Sequence, residues 1–146
     1  MNELTHGPCY DPEDLGRLFA RRLNARDLDG LTYLYEERAT LASPDRVNAN
    51  GTQAIRQRLE EMLAWSLYVV PVDSRALVAD DIALISHRWA LAAGPGVRGQ
   101  ETGEKELVDP QTLATSTEVA RRQPDGSWRY VIDDPASSVA LRDTAR

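Results

Sequence analysis

The sequence predicts an α+β domain in which a curved antiparallel sheet wraps a few helices and leaves a hollow between them. Two observations carry this. Residues Thr112–Arg122 and Ser127–Asp133 read as two strands joined by Gln123-Pro124-Asp125-Gly126, where Pro presets one turn angle and Gly accepts the positive φ of a tight reversal. The first half of the chain reads instead as helices, and helices followed by a run of strands predict segregated layers rather than alternating βαβ units.

The elements follow in order. Residues 1–10 form a lead-in. Asp11-Pro12-Glu13-Asp14 starts a helix, with a capping carboxylate, Pro in the first turn and acids facing the dipole. Leu15, Leu18, Phe19 and Leu23 then recur at helical spacing. Asn24–Asp27 breaks this helix, and Leu28, Leu31, Leu34 and Tyr35 mark a short second one. Ala39–Ala42 is a brief strand ended by Ser43-Pro44-Asp45. Asn50-Gly51-Thr52 opens a third helix, with Asn50 as its cap and Ile55, Leu59, Met62 and Leu63 on one face. From Ser66 the period changes. Leu67–Asp73 and Arg75–Ala79 are strand-like, and Pro71 implies an edge or a bulge. Asp80-Asp81 is a turn and Ile82–Ala92 a long strand. Residues 93–110 are glycine-rich and charged, a mobile loop or a ragged hairpin end. Residues 11–135 form one domain, and 136–146 are a polar tail.

The chain has 146 residues, 42% hydrophobic and 27% charged, enough for one domain with a core. Its net charge of −6 argues against general nucleic-acid binding and against docking on anionic lipid, both of which need a basic face. Cys9 is the only cysteine, so no intrachain disulfide can form. With no apolar run of membrane-spanning length and no signal-peptide pattern at residues 1–6, a cytoplasmic location is expected. Lys105 is the only lysine and falls in the glycine-rich loop, an unpromising place for Schiff-base chemistry. His6 and Cys9 lack partners at metal-ligand spacing, and no nucleotide loop or Ser-His-Asp order is present; no cofactor or metal is expected.

Strand alternation sorts side chains into faces. Ile85, His87, Trp89 and Leu91 share one face of their strand; Ala114, Ser116, Glu118 and Ala120 share one face of the next. On the last strand Val131 and Asp133 oppose Trp128, Tyr130 and Ile132. Apolar residues occur on both faces, as expected if helices cover one and a partner subunit the other.

The order of these segments resembles the superfamily of nuclear transport factor 2, ketosteroid isomerase and SnoaL-like cyclases. The features that carry the resemblance are Asp27-Leu28-Asp29-Gly30-Leu31 before Tyr35–Leu41, Asn50–Ile55, Asp80–Ile85 ahead of Trp89, and Val119–Arg129. The resemblance implies a cone-shaped cavity and a homodimer built through the outer sheet face. It places Glu118 where the isomerases keep a pocket carboxylic acid, and Val131, Asp133, Ile85, His87, Trp89, Tyr35 and Leu59 at pocket positions. The expected cavity is walled by Phe19, Tyr35, Leu59, Ile85, Trp89 and Val131, with His87, Glu118 and Asp133 as its polar, catalytic groups.

Two departures matter. The isomerase general base, an Asp before Pro, is replaced by Ser43, and the hydrogen-bonding Tyr of the first helix by Phe19. Neither can do the missing chemistry unaided, so steroid isomerisation is not expected. What remains is a carboxylate-and-imidazole set, in which two acids in an apolar cavity cannot both ionise cheaply. The expected ligand is a small apolar organic molecule, polyketide- or terpenoid-like. The expected chemistry is cofactor-free cyclisation, isomerisation or dehydration; the alternatives are a ligand-binding, dimerisation or protein-interaction module. Bland readings stand beside these: His87 as a structural histidine, Glu118 as a solvated strand residue if a bulge shifts the register, and Asp133 as a sheet terminator.

Overall fold

The computed structural model describes residues 7–65, 67–93 and 113–135. A 3-10 turn at Pro12–Asp14 leads into helix α1 (Leu15–Asn24), then α2 (Leu28–Tyr33), strand β1 (Tyr35–Leu41), the short β2 (Ala49–Asn50) and α3 (Thr52–Leu63). Strands β3 (Leu67–Ala79), β4 (Ile82–Ala93), β5 (Leu113–Arg122) and β6 (Trp128–Asp134) complete it. They form one six-stranded sheet in the order β2-β1-β6-β5-β4-β3, antiparallel throughout except for the parallel β1–β6 pair. The sequence-predicted loop at 93–110 and the tail at 136–146 lie outside the described residues, apart from Ala93, which ends β4.

Local chemistry explains most boundaries. The Asp11 carboxylate accepts from the Glu13 N–H at 3.0 Å and starts the first helical turn. In the β5–β6 turn, Gly126 takes φ 86° and donates its N–H to the Gln123 carbonyl at 2.9 Å. Pro71 sits on edge strand β3 beside a register shift between Pro71 and Asp73, so one strand carries through where two were expected.

Four expectations are corrected. Tyr35 opens β1 rather than closing α2: it pairs with Tyr130 of β6, and tertiary pairing overrides the helical period. The cap of α3 is Gly51, at φ 86°, while the Asn50 side chain accepts from the Thr40 hydroxyl across β1–β2. Cys9 is not loose. It is buried, and its carbonyl accepts from the Trp128 N–H at 2.7 Å. Finally, β6 does not alternate evenly. Val119 pairs with Ile132 but Ala120 with Tyr130, leaving Val131 as a bulge.

The core lies between the helices and the inner sheet face, built on Leu15, Leu31, Ile55, Leu59, Ile85 and Tyr130. Arg22 is wholly buried within it and donates to the carbonyls of Gly30 (2.8 Å) and Gly7 (2.7 Å), which ties the residues before α1 to α2.

Candidate functional site

One row of cross-strand partners runs over the inner face: Ala76, Ile85, Glu118, Asp133 and Leu41, on β3, β4, β5, β6 and β1 respectively. Two carboxyls thus stand side by side in an otherwise apolar row. The β6 bulge makes this possible, because it turns both Tyr130 and Asp133 inward while leaving Ile132 outside. Above the row opens a cavity of about 310 Å³, walled by apolar side chains including Phe19, Met62, Val69 and Trp89, with Glu118, Asp133 and Tyr130 also on its wall.

Glu118 is 3% exposed, Asp133 4% and His87 2%. The Tyr35 hydroxyl donates to Asp133 Oδ2 at 2.5 Å, and the Trp89 indole N–H donates to the Ser116 hydroxyl at 2.7 Å. His87 Nε2 lies 3.4 Å from Glu118 Oε2, and neither atom has a hydrogen-bond partner among the described residues.

Burial dominates the electrostatics. It pushes the Glu118 carboxyl well above the ordinary range; Asp133 beside it adds to the effect, while the Ser116 hydroxyl opposes it. Asp133 is pushed up to about 7, again by burial first, with the Tyr35 hydrogen bond pulling the other way. Burial holds His87 down to about 4. Burial therefore disfavours the charged form of both partners in the His87–Glu118 contact. The Tyr35 and Tyr130 hydroxyls are both raised well above the usual phenol range, by burial and then by the neighbouring carboxylates.

The residues named from sequence divide into three groups. Glu118, Asp133, Phe19 and Trp89 reach the cavity wall. Tyr35, Leu59 and Ile85 are buried one layer behind it, and Tyr35 acts through Asp133. His87 is also behind the wall, with its ring 4.9 Å from that of Trp89 and pressed against Gly16 of α1. Val131, the bulge residue, is partly buried and off the wall; Tyr130 takes the place expected for it.

Sequence reasoning missed Tyr130, because even alternation put it on the outer face. It also missed Gly16. A Cβ at this position would meet the His87 ring at 2.4 Å, and the signal was a lone glycine inside an apolar-striped helix. Phe19 brings no hydroxyl from α1, but Tyr35 and Tyr130 bring two from β1 and β6.

No known protein family matches this sequence, and no curated protein matches it. Solved structures do. An NTF2-like protein with a cystatin-like fold from Novosphingobium aromaticivorans is 18% identical, with TM-score 0.66 over 92% of this chain and 86% of that one. A protein from Shewanella frigidimarina, provisionally described as a ketosteroid isomerase, is 13% identical, with TM-score 0.64 over 82% and 89%. A protein of the NTF2-like family from Streptomyces avermitilis, provisionally described as a dehydratase, is 17% identical, with TM-score 0.64 over 82% and 88%. At these identities the likeness shows the fold alone: this chain has a cystatin-like α+β fold.

Proposed function

We propose that this protein holds a small, mostly apolar organic molecule in the inner cavity and runs cofactor-free acid–base chemistry on it. The observation that carries the reading is the pair of buried carboxyls, Glu118 and Asp133, directly opposed across β5–β6 on the wall of an apolar cavity. Their environments give them different tasks. Glu118, kept protonated, donates a hydrogen bond to a carbonyl or hydroxyl oxygen. Asp133, near 7 and oriented by Tyr35, gains and loses a proton at neutral pH. Removal of a proton next to a carbonyl by Asp133, with the developing oxyanion held by Glu118, serves isomerisation, cyclisation or dehydration alike. His87 is a positioning residue, because it meets Glu118 and not the cavity. The solved structures provisionally described as an isomerase and a dehydratase agree with this class of reaction.

The test uses α-tetralone, a bicyclic aryl ketone, in deuterated buffer. Deuterium uptake at its α-carbon should exceed the buffer rate, and Asp133→Asn should remove the excess while circular dichroism stays unchanged. Tetralone bound without exchange would leave a binding module; the absence of both would overturn the reading.

A second reading, self-association, rests on the opposite face. Leu77, Leu84, Val119 and Ile132 form an in-register row across β3, β4, β5 and β6, and three of them are about half exposed. Charges of both signs flank the row, in the Arg88–Asp73 and Arg121–Glu36 pairs. An apolar strip with balanced margins suits a second copy of this chain related by a two-fold axis.

A further inference from the structure

We infer that the cavity's ligand is an amphipathic anion, with an apolar body inside and a carboxylate at the mouth held by Arg58. This deepens the reading of the cavity as a ligand site and rests on it. Among the described residues on the wall, Arg58 is the single basic side chain. Arg58, Met62 and Trp65 stand at i, i+4 and i+7 along α3 and just past its end, and all three line the cavity. Exposure grades along this face: the Arg58 side chain is 25% exposed and Trp65 55%, whereas Glu118 and Asp133 are sealed. The arginine therefore marks the solvent end and the two acids the floor.

The guanidinium is only loosely engaged. Its Nη2 donates to the Val47 carbonyl at 3.2 Å, and its Nε lies 3.5 Å from an exposed Glu61 carboxylate; among the described residues Nη1 has no partner. A planar fork with donors to spare, partly shielded from water, is suited to a carboxylate. The floor disfavours one, because an anion there would face Asp133 as it ionises. It favours a neutral acceptor instead, since the buried Glu118 carboxyl lines it. In a chain of net charge −6, an anionic ligand also needs such a local cation to offset the general field.

Decanoate and 1-decanol, matched in chain length, test this by displacement of the fluorescent probe N-phenyl-1-naphthylamine at about neutral pH and low salt. The wild type should bind decanoate about tenfold more tightly than decanol, and Arg58→Gln should abolish that preference while shifting decanol less than about twofold. Equal affinity of the wild type for both ligands, or equal weakening of both by Arg58→Gln, would overturn the inference and leave the cavity reading intact. If neither the probe nor either ligand binds, the cavity reading falls, and this inference with it.

Discussion

Burial disfavours the charged forms of Glu118, Asp133 and His87 alike. Their effects on stability run in opposite directions. Asp133 rises from 3.8 to about 7, so between these values the folded chain keeps a proton that the unfolded chain has lost. Stability must therefore fall as pH rises through that window. Glu118 acts in the same sense. His87 drops from 6.5 to about 4, so it is the unfolded chain that holds the extra proton there, and stability gains as pH rises between those values. Above about 6.5 only the acids contribute. Denaturant unfolding should show the wild type losing stability from slightly acidic to slightly alkaline pH, and Asp133→Asn and Glu118→Gln should each flatten the decline. A decline in both variants as steep as in wild type would show that neither acid carries a raised pKa.

At the scale of elements, helix α1 and strand β4 fit because of one missing side chain. Gly16→Ala would drive a methyl group into the His87 ring, which also packs 4.9 Å from the Trp89 ring. We expect a loss of about 1–3 kcal/mol in chemical denaturation. Adding His87→Ala should recover part of the loss, because the two positions share one space. Additive losses in the double variant would deny the contact. The same scale explains what could be read from the sequence. The β5–β6 hairpin was legible because its turn is local chemistry: a Pro-Asp-Gly run with Gly126 at positive φ. Even alternation sorted β4 and β5 into two faces but, with apolar residues on both, left the inward one open. The family resemblance chose between them, and Glu118 and His87 are buried on the face it chose. The bulge at Val131 was not legible, since it arises from how β6 fits β5 and β1 together, and it exchanged Tyr130 for Val131 on the cavity wall. Tyr35 misled for a related reason: its apolar spacing continues the α2 pattern, but pairing with β6 decides its state.

For the whole molecule, the sheet separates two surfaces with different tasks. Its inner row places two acids among apolar residues, and its outer row of Leu77, Leu84, Val119 and Ile132 is apolar throughout. The self-association reading predicts a dimer by sedimentation that Leu84→Asp converts to a folded monomer; a wild-type monomer at micromolar concentration would dismiss it. The cavity itself was only partly foreseeable. Phe19 and Trp89 could be placed on its wall through the family resemblance, where periodicity alone could not place them. Arg58 could not, because its inward role depends on where α3 lies over the sheet.

The central claim is that two adjoining carboxyls on the cavity wall resist ionisation. Carbon-13 NMR titration of the side-chain carboxyls, assigned with Glu118→Gln and Asp133→Asn, measures this directly. Asp133 should titrate near 7 and Glu118 well above the ordinary glutamate range, each moving when the other is removed. Two independent midpoints in the normal carboxylate range, near 4, would contradict the account.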